Sequence, residues 1–130
     1  MDNPAAEAKR PHVLVVDDNF ELAQAYKALL EEHGYTAITA PNGVLALKII
    51  LKIEVDAILC DLKMPQLEGD MFYLTVERVK PELTSRFIFI TGMGSDPKFQ
   101  AFIERAQAPV LFKPVEPGKL LEQVKRVVVK

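Results

Sequence analysis

At 130 residues and 14.6 kDa the chain suits a single hydrophobic core, because a division into two would leave neither half enough interior to offset its chain entropy. Hydrophobic residues make up 49% and charged residues 26%, the usage of a folded globular domain rather than a disordered or fibrous one. The net charge of −2, from 16 basic and 18 acidic residues, offers no positive field for a phosphate backbone or an anionic membrane, so direct nucleic-acid binding is disfavoured.

Residues 1–10 read as a flexible polar tail without the charge order of a signal peptide, and 11–130 as the folded domain. His12 to Val16 (HVLVV) is a continuous apolar run, suited to a parallel strand buried on both faces, and Asp17, Asp18 and Asn19 end it. From Phe20 to His33, Leu22, Tyr26, Leu29 and Leu30 recur at helical spacing, with Gly34 where a left-handed C-terminal cap belongs. Tyr35 to Thr39 predicts a second strand, Pro41-Asn42-Gly43 a turn, and Val44 to Ile53 an apolar helix whose polar stripe is Lys48, Lys52 and Glu54. The apolar stretch Val44 to Leu51 is too short to span a bilayer, so no membrane insertion is expected.

Asp56 to Cys60 (DAILC) reads as the third strand and delivers Asp61 at its end. Pro65 and Gly69 shape a loop, and a helix from about Asp70 to Lys80 can bury Phe72, Val76 and Val79. Arg86 to Ile90 is the fourth strand, ending in Thr91-Gly92-Met93-Gly94, and Asp96-Pro97 looks like a helix cap followed by proline at the first helical position. Phe99, Phe102, Ile103 and Ala106 share one face of the fourth helix, Pro109 to Phe112 forms a fifth strand, and Gly118 to about Val129 a last helix burying Leu120, Leu121, Val124 and Val128. Strands alternating with helices are the signature of βαβ units and a parallel sheet. With the last helix expected to run to the end of the sequence, no output domain is expected within these 130 residues.

In an open parallel sheet ligands bind outside the carboxyl ends of the strands. Those ends carry Asp17 and Asp18 on the first strand, Asp61 on the third, Thr91 on the fourth and Lys113 on the fifth. Each alone is explained as a helix cap or a solvated strand end. Together, three carboxylates at one edge raise one another's pKa unless a cation intervenes. Oxygen ligands suit magnesium, which takes one or two protein carboxylates plus phosphate oxygens and keeps several waters. Phosphoryl transfer is mostly positioning and charge neutralisation, for which magnesium, Lys113 and the Thr91 hydroxyl are the candidates. A carboxylate can itself be the nucleophile and form an acyl phosphate, and Asp61 holds the best position for it.

VLVVDDN at the first strand, DLKMPQLEG around Asp61, FIFITG ending at Thr91, and LFKP containing Lys113 occur in that order. With them the chain, from about Pro11 to Lys130, resembles the receiver domains of two-component response regulators, in the single-domain form of the chemotaxis regulators. The resemblance implies a flavodoxin-like, doubly wound parallel sheet of five strands in the order 2-1-3-4-5 with five helices. It also implies phosphoryl transfer from a sensor histidine kinase or phosphotransfer protein onto Asp61. By the same resemblance Asp18, Asp61 and the Lys63 backbone carbonyl would ligate magnesium, Asp17 would hold a metal-bound water, and Thr91 and Lys113 would contact phosphoryl oxygens. The Lys113–Pro114 peptide would be cis, and output would pass to a downstream protein through the fourth helix, fifth strand and fifth helix. Such a domain is a cytoplasmic signalling module rather than an enzyme, although it takes part in its own phosphorylation and dephosphorylation.

The chain departs from the family pattern at Val110, where many members carry a Tyr or Phe that reorients on activation, and mildly at Gly92. Lys63 and Met93 stand at positions that tune phosphoryl lifetime in the family. His12 and His33 read as structural, the single Cys60 as an inert core residue pointing away from the site, and Phe99 and Phe102 as core. Two other functions remain open at this point: a pseudo-receiver that binds protein constitutively, and a magnesium-dependent phosphatase with an aspartate nucleophile. Against the phosphatase, Lys63 stands where such enzymes carry a second Asp, and no lid is available to exclude water.

Overall fold

A computed structural model describes residues 10–64, 66–92 and 97–129, apart from the side chain of Lys98. The tail before Arg10, Pro65, Met93, Gly94 and Asp96 lie outside the described residues.

The strands are β1 (His12–Val16), β2 (Thr36–Ala40), β3 (Ala57–Asp61), β4 (Phe87–Thr91) and β5 (Val110–Phe112). The helices are α1 (Phe20–Glu32), α2 (Gly43–Ile50), α3 (Gly69–Val79), α4 (Pro97–Ala106) and α5 (Pro117–Val128). All strand pairs are parallel and run in the order β2-β1-β3-β4-β5. This is the flavodoxin-like α/β architecture, with the chain reversing its winding at β1 and β3.

Alternation along the strands divides the interior into two layers. Leu14 and Val16, Ile58 and Cys60, and Phe87 and Phe89 enter one layer, which is closed by Ala46 and Ile50 of α2, Phe72, Tyr73 and Val76 of α3, and Phe99 of α4. Val13 and Val15, Ala57 and Leu59, and Ile88 and Ile90 enter the other, closed by Ala23, Tyr26 and Leu30 of α1 and Leu120, Val124 and Val127 of α5. Each fully buried large side chain contributes about 2 kcal/mol by leaving water. The rings of Phe72, Tyr73, Phe87, Phe89 and Phe102 pack mainly tilted or edge-on, with centroids 5.0–5.8 Å apart, which favours one arrangement over a fluid interior.

Loop chemistry places the helices. The Asn19 and Asn42 side chains accept from the backbone N–H of Leu22 (3.0 Å) and Leu45 (2.9 Å), capping α1 and α2 directly after the carboxyl ends of β1 and β2. Past the end of α1, Gly34 takes φ +96°, a left-handed conformation that favours glycine. Phe99 is core, as its spacing predicts, with Phe102, Ile103 and Ala106 packed beside it.

Several boundaries differ from the periodicity. Helix α2 ends at Ile50 rather than Ile53, and Leu51 and Ile53 are exposed. On α3, Val79 is exposed and Tyr73 takes an inner position, because the chain leaves the helix there for a 3-10 helix over Pro81–Arg86 that the sequence pattern did not indicate. On α1 the inner stripe is Ala23, Tyr26 and Leu30, with Leu22 and Leu29 only partly buried. On α5 Val127 is buried, and Leu121 and Val128 lie at its margin.

Candidate functional site

The register of β1 against β3 pairs Val16 with Cys60, so Asp17 and Asp61 are the next residues on two neighbouring strands. The two-residue period puts Asp17 in line with Val13 and Val15, and Asp61 in line with Ala57 and Leu59. Both carboxylates are therefore placed on the face covered by α1 and α5. Both are buried, at 3% and 4% exposure, whereas Asp18 is exposed. Asp17, Asp18 and Asp61 each bring a carboxylate oxygen to within 4.8 Å of the others.

Lys113 follows β5, where its backbone N–H donates to the Thr91 carbonyl at 2.8 Å. Its ammonium reaches past β4 to Oδ2 of Asp61 at 2.8 Å. Oδ1 of Asp61 accepts from the backbone N–H of Lys63 at 3.1 Å, and Oδ1 of Asp17 accepts from that of Asn19 at 2.9 Å. Oδ2 of Asp17 is buried without a hydrogen-bond donor.

The electrostatics follow from this crowding. Burial pushes the Asp17 carboxyl above its ordinary range; the Asn19 N–H works against the rise and the charge of Asp61 adds to it. Burial pulls Lys113 down, but its hydrogen bond to Asp61 and the charges of Asp61, Asp17 and Asp18 prevail, leaving it raised. Two buried carboxylates beside one cation leave negative charge in excess. Hard oxygen donors in that state are the chemistry a divalent cation such as magnesium requires. The orphaned Oδ2 of Asp17 supplies a further acceptor, and the donor set fits the group.

The fold brings Asp17, Asp18, Asp61 and Lys113 together, and Thr91 ends β4 at the same edge, half-buried. Lys63 is exposed and touches the site through its backbone. The Lys113–Pro114 peptide is cis. Val110 pairs with Phe89 and packs beside the aromatic cluster. Cys60 is fully buried and belongs to the opposite layer, with its thiol pushed well up by burial first and the charge of Asp61 second, as suits an inert residue. His33 caps α1, its Nδ1 lying 2.9 Å from the Leu29 carbonyl.

Gly69 is a site residue that the sequence reading treated only as a loop former. It opens α3, its N–H donates to the Leu62 carbonyl at 2.9 Å, and a Cβ there would stand 2.6 Å from the Asp61 carbonyl oxygen and 2.8 Å from Leu62 Cα. Gly69 thus lies against the end of β3 at a distance only glycine permits. The signal was a glycine just before a helical period and eight residues beyond Asp61.

A five-stranded 2-1-3-4-5 sheet with an acidic cluster and a lysine at its carboxyl edge defines a receiver, and the family model of the response regulator receiver domain matches residues 13–125. The chain belongs to that family, the receiver domain of two-component signalling. Among solved structures it is similar to the chemotaxis protein CheY4 of Vibrio cholerae (28% identity, TM-score 0.80, covering 90% of this chain and 98% of that one). A CheY-like receiver domain protein of Methanospirillum hungatei is also similar (28%, TM-score 0.82, 92% and 94%). Among curated proteins it is 28% identical over 116 residues to the transcriptional regulatory protein GlrR of Escherichia coli, covering 89% of this chain and 26% of that protein. A response regulator receiver protein of Anaeromyxobacter is 30% identical over 109 residues, covering 84% and 45%. The chain therefore spans between a quarter and a half of the length of these two curated relatives. Among the described residues, no helix is long and apolar enough to cross a membrane.

Proposed function

We propose that the domain accepts a phosphoryl group on Asp61, from a sensor histidine kinase or a phosphotransfer protein, and passes the signal to a protein partner. The observation that carries this reading is the Asp61 carboxylate, buried at the end of the middle strand with the Lys113 ammonium 2.8 Å from Oδ2 and two more carboxylates within 4.8 Å.

In the transfer, an Asp61 carboxylate oxygen forms a bond to phosphorus, the bond from phosphorus to the donor imidazole nitrogen breaks, and its electron pair stays on the imidazole. Lys113 offsets charge on the equatorial oxygens, and the Thr91 hydroxyl donates to one of them. Asp18, Asp61 and the Lys63 carbonyl would hold magnesium, and Asp17 would hold a metal-bound water. Bound magnesium supplies charge neutralisation and alignment of the phosphoryl oxygens.

For output, α4, β5 and α5 form the surface next to Thr91 and Lys113, and Phe112 of β5 is 58% exposed there, an apolar contact for a downstream protein. With Val110 in place of a ring able to swing between two rotamers, the change is carried by backbone around Gly92 and by Lys113 rather than by an aromatic.

Incubation with acetyl phosphate and magnesium should raise the intact mass by one phosphoryl group, and Asp61→Asn should abolish the gain. A variant labelled at the wild-type level removes Asp61 as the acceptor.

A further inference from the structure

Among the described residues, two buried side-chain polar atoms have no hydrogen-bond partner: Oδ2 of Asp17 and the hydroxyl of Tyr26. One is an acceptor lacking a donor and the other a donor lacking an acceptor. Tyr26 is 6% exposed and belongs to the layer built on Val13, Val15, Leu59 and Leu111. Two-residue alternation carries those rows on to Asp17, Asp61 and Lys113 at the sheet edge. Tyr26 therefore packs beneath the side chains of the site.

Helix direction adds to this. Long side chains on a helix lean toward its N-terminus, and the N-terminus of α1 follows directly on Asp17, Asp18 and Asn19. The ring of Tyr26, on the second turn, thus leans toward the acidic edge. The field it experiences agrees: burial first, then the charges of Asp17 and Asp61, push its hydroxyl up to about 12. The group stays a neutral donor across the working range of pH. A phenylalanine would fill the same space without the penalty of about 1–3 kcal/mol that an unsatisfied buried hydroxyl carries.

We propose that Tyr26 is a positioning residue of the acidic site, its hydroxyl donating through one bridging water toward Oδ2 of Asp17 from the helix-covered side of the sheet. Asn19 fixes Oδ1 from the loop and Tyr26 fixes Oδ2 from the helix, so the carboxylate plane is set before a cation arrives. A single buried water linking two otherwise unsatisfied groups is the usual means of joining them, and partners of this kind orient the groups around a metal. The contact itself is independent of function; its effect on magnesium rests on the proposed phosphoacceptor reading.

Tyr26→Phe keeps the ring and removes the donor. In metal-free protein it should move the Asn19 amide resonance, because that N–H shares the Asp17 carboxylate, while Tyr35→Phe leaves it in place. Calorimetric magnesium titration should show affinity about tenfold weaker in Tyr26→Phe, the range for lost partners of metal-site groups, and unchanged in Tyr35→Phe. A packing role alone would alter the melting temperature without either effect. An unmoved Asn19 amide with wild-type magnesium affinity overturns the proposal. Wild-type protein that neither binds magnesium nor becomes labelled at Asp61 overturns the phosphoacceptor reading instead, and the metal-free Asn19 resonance then decides the Tyr26 contact alone.

Discussion

The two edges of the sheet treat their charges in opposite ways. At the amino edge three charged groups meet backbone partners: Asp56 Oδ2 accepts from the His12 N–H at 2.8 Å, Lys80 Nζ donates to the Ile50 carbonyl at 2.9 Å, and Arg86 donates to the Val127 and Val128 carbonyls at 2.9 and 3.0 Å. At the carboxyl edge three carboxylates converge, Lys113 bonds one of them, and Asp17 keeps an acceptor without a donor. These bonds satisfy Asp56, Lys80 and Arg86 locally, and those of Arg86 tie the end of α5 to the sheet. The carboxyl edge stores repulsion that an arriving cation relieves, and so couples stability to occupancy.

The largest effect expected on this contrast is steric. Gly69→Ala puts a methyl group 2.6 Å from the Asp61 carbonyl oxygen and 2.8 Å from Leu62 Cα, and neither backbone atom can give way without moving the end of β3. Urea unfolding should show a loss of about 3 kcal/mol, the upper end for overpacking, together with slower labelling by acetyl phosphate. An alanine variant of wild-type stability and rate would mean that the loop after Asp61 is free to withdraw.

At the amino edge, Arg86→Ala strips charged donors from the last carbonyls of α5. Bonds of this kind are worth roughly 2 kcal/mol, and the same unfolding experiment should register that loss. Labelling of Asp61 should be unchanged, since the arginine lies at the opposite end of the strands. Slower labelling in a folded Arg86→Ala would show that the two edges are coupled.

The difference between the edges also explains what the sequence made legible. Strand positions were readable to within a residue because runs such as HVLVV and FIFI are buried on both faces, a pattern surface helices do not share. Helix ends were less so. Val79 fits a helical stripe, but the stripe stops where Pro81 redirects the chain, and nothing in the period announces this. The carboxyl-edge residues Asp17, Asp18, Asp61 and Lys113 were found because a parallel sheet delivers every strand end to one side. Gly69 and Tyr26 were not, since their parts depend on a close backbone approach and on which layer a tyrosine enters. Periodicity marks Tyr26 as core and is silent about its hydroxyl.

The smallest effect is the most diagnostic, because its sign is reversed. Removing a charge at the amino edge costs stability, whereas Asp17→Asn at the carboxyl edge should add it in metal-free protein. The Asp17 carboxyl is raised above 3.8, burial being the main cause, so between 3.8 and its folded value the native state holds more protons than the unfolded one. Stability then falls as pH rises through that window, and above it the full cost of the buried charge is present. The neutral amide introduced by Asp17→Asn carries no such cost, and its NH2 group can donate toward Asp61. At neutral pH without magnesium the variant should be more stable by about 1 kcal/mol, raising the melting temperature by about 4 °C for a chain of this size. The advantage should shrink as pH falls through the folded value toward 3.8, since wild type then becomes neutral at the same position. Magnesium should reduce it as well, by stabilising the wild-type carboxylates. A variant less stable than wild type at neutral pH, or an advantage indifferent to both acid and magnesium, would mean that the carboxyl edge holds its charges as comfortably as the amino edge does.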